Sequence, residues 1–174
     1  MSLRCWHDRP AALTLYDGVT SPDRSKMETA MSDDPLTAAL QRPDAAWARQ
    51  HLDQDIVAWI TTMAPDGRVQ SSPISFLVEG GDLIFYSQPG APKVRNIEHS
   101  SRVAFHLQSD PYADHWLSIE GTARVDRTIP AMDRYERYLA KYAEPHAHWG
   151  LDFTDTAQDF SLPIRIRPTR VRLA

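Results

Sequence analysis

The sequence predicts a mainly β, α+β domain: an antiparallel barrel of about six short strands with peripheral helices. Three observations lead there. Runs rich in β-branched and aromatic residues recur between residues 56 and 173, and the turn signals Pro65-Asp66-Gly67 and Gly80-Gly81 separate the first of them. The alternating β-α-β units of a doubly wound parallel sheet are missing. Helical periodicity is confined to the start of the domain, one short insert after the third strand and a longer stretch before the last.

Residues 1–31 carry neither helical nor strand periodicity, and Pro10, Gly18 and Pro22 interrupt them. They read as a disordered extension, with Met27 and Met31 as alternative starts, ahead of one domain over residues 32–174. Capping oxygens at Ser32 to Asp34 precede Pro35, with Leu36 and Leu40 one turn apart, so a short helix is predicted there. A second helix is expected from Asp44, placing Trp47, Ala48 and Leu52 on one side. The first strand is Ile56 to Met63, and the hairpin after it leads into Val69 to Val78. There Ile74, Phe76 and Val78 alternate with Ser71, Pro73 and Ser75, leaving one apolar face and one of small hydroxyls. Leu83 to Ser87, Arg102 to Gln108 and Trp116 to Val125 follow as strands. Pro130 opens a longer helix with an apolar stripe at Met132, Tyr135, Leu139 and Tyr142. A helical or irregular stretch at residues 144–161 precedes a last strand, Ile164 to Leu173, broken at Pro168.

Composition narrows the function. With 19 basic and 23 acidic residues the formal net charge is -4, which argues against nucleic acid as a general partner. Arg165, Arg167, Arg170 and Arg172 do not form one stripe, because the Pro168-Thr169 step shifts the alternation; a charge-protected barrel edge accounts for them better. The only cysteine is Cys5, so no intramolecular disulfide can form and a cytoplasmic location is expected. No apolar run approaches a membrane span, and the first residues lack a secretory pattern.

The residues from Tyr86 to Ile97 carry the sharpest functional signal. Tyr86-Ser87-Gln88-Pro89-Gly90-Ala91-Pro92-Lys93-Val94-Arg95-Asn96-Ile97 reads as a strand end, a Pro/Gly loop and a helix start, with two cations and no carboxylate over residues 87–97. The first turn of a helix has backbone N–H groups without intrahelical partners and lies at the positive end of the dipole, so an anion docks there readily. Read from the residues alone, Lys93 remains either an anion ligand or a solvated lysine, and Ser87 either a ligand or a turn hydroxyl.

Residues Val57 to Val125 resemble the split-barrel flavin and deazaflavin oxidoreductases, the superfamily of pyridoxamine 5'-phosphate oxidase. The likeness rests on Ala58-Trp59-Ile60-Thr61-Thr62, Asp66-Gly67-Arg68, Ser72-Pro73-Ile74-Ser75-Phe76, Tyr86-Ser87-Gln88-Pro89, Pro92 to Ile97, Arg102-Val103-Ala104 and Glu120-Gly121-Thr122-Ala123, in that order. With the ending Ser161 to Arg172, the chain is most similar to actinobacterial members that use coenzyme F420. The resemblance implies an FMN-binding split barrel, a two-fold homodimer with the cofactor ring in a groove at the interface, and a small-molecule substrate. It also implies that Ser87 and Lys93 hold the cofactor phosphate with Asn96 and Arg95 nearby, Tyr86 and Gln88 belonging to the same strand end. Ser71, Ser72 and Pro73 would border the ring and its linker, and Trp116 would reach the cofactor from the partner subunit. Trp59, Phe76, Phe105 and Trp116 are candidates for the covered apolar face.

One departure bears on the cofactor. FMN-using oxidases of the superfamily carry a cation at each of two second-strand places where this sequence has Ser71 and Phe76. FMN would lose two charge-assisted contacts of about 1.5 to 3 kcal/mol each, which favours F420 with FMN as the alternative. The competing class is a non-catalytic module that binds flavin, deazaflavin or a tetrapyrrole. His146 and His148 beside Glu144 lack strand geometry and a third ligand of characteristic spacing, so no metal site is expected. His99, His106 and His115 read as helix-surface, barrel-wall and loop residues.

Overall fold

One sheet organises the protein. In the computed structural model, which describes residues 34–174, seven antiparallel strands run in the order β2-β1-β5-β6-β7-β4-β3. They are β1 (Ala58–Met63), β2 (Val69–Ile74), β3 (Leu77–Glu79), β4 (Asp82–Ser87), β5 (Arg102–His106), β6 (Leu117–Val125) and β7 (Leu162–Leu173). Around them lie α1 (Pro35–Leu40), α2 (Ala46–Gln54), α3 (Pro92–His99), α4 (Glu136–Trp149) and α5 (Phe153–Asp159). The expectation for residues 1–31 lies outside the described residues. Asp34 caps α1 as anticipated, accepting from the backbone N–H groups of Leu36 and Thr37. Among the described residues no helix is long and apolar enough to cross a membrane.

The seventh strand arises where one of about six was expected, because Val69 to Val78 is not a single strand. Its ladder stops at Ser75-Phe76, and β2 and β3 become the two edges of the same sheet. Tyr142 of α4 fills the gap. Its hydroxyl accepts from the Phe76 N–H at 2.6 Å and directs its own proton toward the Phe76 and Ile56 carbonyls at 2.9 and 3.0 Å. Buried backbone groups freed by the bend are thereby satisfied without a neighbouring strand. Ser75 Oγ meets Tyr138 Oη at 2.7 Å alongside.

Two apolar layers share β4. Leu83 and Phe85 join Ile60, Phe76, Phe105, Ile119 and Ile164 inside the barrel, whereas Ile84 and Tyr86 pack outward against Tyr135, Tyr138 and Tyr142. Phe76 and Phe105 are fully buried and meet edge to face at 5.2 Å, so neither belongs to an exposed face; Trp59 and Trp116 do point outward. The stripe expected from Pro130 also changes phase. A 3-10 turn at Met132–Arg134 precedes α4, whose buried positions are Tyr138, Tyr142, Pro145 and His146, while Leu139 is only half-buried.

Pro168 does not interrupt the last strand. Glu120 pairs with Arg170 and Gly121 with Pro168, so Thr169 is the extra residue of a β-bulge, and its hydroxyl donates to the Glu120 carbonyl at 3.1 Å. Gly121 suits the site because a Cβ there would lie 2.6 Å from the Arg167 carbonyl oxygen. β7 is an interior strand between β6 and β4, not an edge, and three of its arginines, Arg165, Arg167 and Arg172, have acidic partners. Arg165 bridges Asp126 at 2.7 Å and Asp82 at 3.1 Å, and Arg172 meets Glu120 at 2.6 Å.

Asp126 is buried and also accepts from the Thr128 hydroxyl and from Arg124. Bonds from Thr128 and Arg165 hold its carboxyl far below the usual carboxylate range. A folded-state pKa below the unfolded one stabilises above the ordinary value near 3.9 and loses that contribution as the pH falls toward the folded value. Asp126→Asn is therefore expected to shrink the stability difference between about pH 7 and pH 3 by about 1 kcal/mol. Urea midpoints measured across that range check it, and equal slopes in both proteins would refute the linkage.

Candidate functional site

Helix α3 is carried to the sheet by the loop that leaves β4 at Ser87. Gly90 takes a left-handed backbone (φ +75°), the Ala91 N–H donates to the Gln88 carbonyl at 3.2 Å, and Pro92 opens the helix without a side-chain cap. Asn96, buried on the inner side of α3, donates to Thr62 Oγ1 at 3.0 Å and to Gln70 Oε1 at 2.7 Å. Thr62 and Gln70 are cross-strand partners on β1 and β2, so one amide group ties the helix to both strands of the first hairpin.

A cleft of about 210 Å³ opens between them, lined by Thr62, Gln70, Ser71, Ser72, Pro92 and Lys93. No carboxylate is among these residues. Lys93 is half-buried, and desolvation lowers its pKa from the ordinary lysine value. A partly desolvated ammonium in an acid-free cleft that Ser72 also lines is suited to a phosphate or carboxylate. Ser71 Oγ also lies 2.7 Å from Thr61 Oγ1, so the two hydroxyls form a pair on the outward face.

The structure thus brings Ser71, Ser72 and Lys93 together, with Asn96 behind them as a positioning residue. Ser87 sits on the face of β4 that carries Leu83 and Phe85; it is 1% exposed and its hydroxyl has no hydrogen-bond partner. It does not line the cleft. Tyr86 points to the opposite layer, where its hydroxyl donates to the Pro130 carbonyl at 2.6 Å. Gln88 and Arg95 are exposed, and the Arg95 guanidinium folds back to donate to the Gly90 carbonyl, bracing the loop.

Trp116 lines a second hollow, and Pro73 lines neither, standing beside Trp59 at its margin. Pro73, Trp59, His106 and Ser118 stand side by side across β2, β1, β5 and β6. Trp59, His106, Trp116 and Ser118 line a groove of about 690 Å³. Burial lowers the pKa of His106, so its imidazole is held neutral. Sequence reasoning missed Thr62 and Gln70; the turn at Pro65-Asp66-Gly67 was the available signal, since hairpin register makes them face each other.

The pyridoxamine 5'-phosphate oxidase family model matches residues 46–173, from the start of α2 to the end of β7. The chain belongs to this family. The matched segment contains every residue of both hollows, so cleft and groove are features of the family domain and not of an appended element. No curated protein matches the chain in sequence.

Solved structures support the same fold for this family member. An F420 reductase aligns at 24% identity with a TM-score of 0.53, over 71% of this chain and 94% of its own. A conserved hypothetical protein from Mycobacterium tuberculosis aligns at 22% identity and a TM-score of 0.58, over 76% and 88%. The heme storage protein HutZ from Vibrio cholerae aligns at 16% identity and 0.53, over 74% and 93%. At these distances the likeness is one of fold, shared by proteins of different function.

Among the described residues no cluster of three or more metal-ligating side chains occurs. His146 is buried in α4, stacked on Phe153 at 3.7 Å, with Nδ1 unpartnered, whereas His148 is exposed.

Proposed function

We propose that this family member is an oxidoreductase that uses the deazaflavin coenzyme F420, acting as a cytoplasmic homodimer on a small organic substrate. The acid-free cleft that Lys93 lines together with Ser72 and the strand at Ser71 carries the reading. Its donors fit a phosphate diester. Lys93 and Ser72 hold the phosphate, Asn96 keeps α3 in place, and Ser71 and Pro73 border the ring. When bound, the deazaflavin supplies a hydride carrier, while the protein supplies position and electrostatics.

Ser71 favours F420 over FMN, because a neutral hydroxyl stands where FMN-using relatives carry a cation. Phe76 no longer bears on that choice, since it lies in the barrel core. The dimer is supported by the outward face that carries Trp59, Met63 and Val69, which are 38%, 40% and 69% exposed. Trp116 of the second subunit would border the ring there. Tight F420 binding with weaker FMN binding is expected in fluorescence titrations of the purified protein, with sedimentation at twice the chain mass. Preference for FMN, or no F420 binding, would overturn the reading.

A second reading, a tetrapyrrole-binding module without turnover, draws on His106. Its neutral imidazole lines the larger groove between Trp59 and Trp116. Haemin binding that is abolished by His106→Ala, together with no F420 binding, would favour it.

A further inference from the structure

Away from both hollows, α4 presents Lys141 to a small cavity of about 170 Å³ beside the bend of the second strand. Leu40, Leu52, Leu77 and Val78 supply apolar walls, and Arg49, Arg137 and Asp53 share the lining. The Lys141 ammonium donates to the Leu52 carbonyl at 3.1 Å and lies 3.9 Å from the centre of the Phe76 ring. Among the described residues it has no carboxylate within salt-bridge distance; the acidic influence on it is that of Asp53 and Asp55. Burial brings its pKa down to about 8 against the pull of those two carboxylates, so a substantial fraction is neutral amine near physiological pH.

We propose that Lys141 is a site of reversible carbamylation by carbon dioxide, the carbamate being received by Arg137 and Arg49 in the cavity all three line. A desolvated lysine is a nucleophile in its neutral form. The nitrogen lone pair forms a bond to the carbon of CO2, one C=O electron pair moves onto oxygen, and the nitrogen releases a proton to water. The products are a carbamate anion on Nζ and one proton, with no oxidant or reductant involved.

Size, polarity and charge agree. The cavity admits a three-atom apolar molecule, and its aliphatic walls favour CO2 and neutral amine over bicarbonate and ammonium. Arg137 sits one helical turn from Lys141 and spends two donors on Glu79 and the Val78 carbonyl, while Arg49 spends Nη1 on the Leu40 and Arg42 carbonyls. Each guanidinium has five N–H donors, so both retain capacity for a carbamate oxygen. Asp53 opposes the new anion and Glu79 is paired with Arg137, so the favourable charge comes from Arg49, which among the described residues has no carboxylate within salt-bridge distance. Carbamylation also removes the cation from the Phe76 ring and the ammonium's bond to Leu52, one of several contacts between α4 and the barrel corner and one between α4 and α2.

The test uses the full chain equilibrated with 13C-bicarbonate at about pH 8, trapped with a trialkyloxonium salt, digested and mapped by mass spectrometry. A labelled alkyl carbamate is expected on the peptide containing Lys141. The label should fall several-fold when the protein is first unfolded in guanidinium, and again in folded Arg137→Gln. Absence of label at Lys141, equal label in the unfolded chain, or undiminished label in Arg137→Gln each overturns the proposal. F420 binding plays no part in it.

Discussion

Replacing Tyr142 with phenylalanine is expected to lower the stability of the fold by about 2 to 5 kcal/mol, because one oxygen serves the whole bend between β2 and β3. The Phe76 N–H and the Phe76 and Ile56 carbonyls all turn to that hydroxyl, and Phe76 and Tyr142 are 0% and 1% exposed, so water cannot replace it. Each buried polar group left unpaired costs about 1 to 3 kcal/mol, and at least two are orphaned here. The ring itself is kept, so its packing against Tyr138 at 4.4 Å survives and no large cavity forms. Urea unfolding should show a lower midpoint at an unchanged slope. A midpoint within error of the parent would mean that the bend is satisfied by other means. Ser75→Ala, which removes only the half-buried bond to Tyr138, should cost about 1 kcal/mol and serves as the control.

Lys93→Ala is expected to weaken F420 binding by about 1.5 to 3 kcal/mol, roughly ten- to over a hundredfold, with unfolding behaviour like that of the parent. Lys93 is the one cation lining the cleft, and among the described residues it makes no ion pair whose loss would destabilise the fold. A bond to a charged partner in a partly desolvated site has that magnitude, whereas a freely solvated lysine would contribute far less. Fluorescence titration of both proteins gives the ratio. Unchanged affinity alongside intact binding by the parent would strip Lys93 of the anchoring role and leave the cofactor assignment standing.

These two residues also show how far the chain could be read before folding. Lys93 was legible because its signal is local: a Pro/Gly loop, a helix start and an acid-free run all lie within a few residues. Tyr142 was legible only as a member of an apolar stripe. Its hydroxyl serves a backbone break 66 residues away, and no periodicity records a bond of that range. Ser71 was read from strand alternation and Ser72 from the family resemblance, and both line the cleft, whereas alternation sends Tyr86 to the opposite layer. Ser87 and Trp116 follow local rules for their strands, but that Ser87 is sealed beneath the loop while Trp116 lines the groove depends on how neighbouring strands curl.

The amino-acid sequence by itself determined the strand-rich order, the hairpins, the inserted helix and its basic start, because these depend on residue spacing, turn chemistry and capping within a few positions. Tertiary structure alone decided that the second strand breaks and is plugged by a tyrosine, that the Arg-rich last strand runs through the interior of the sheet against Asp82 and Asp126, and that a single lysine on α4 lines a small cavity with both aliphatic and charged walls. Those outcomes depend on desolvation and on polar groups meeting across dozens of residues, and both quantities exist only once the sheet has closed around its core.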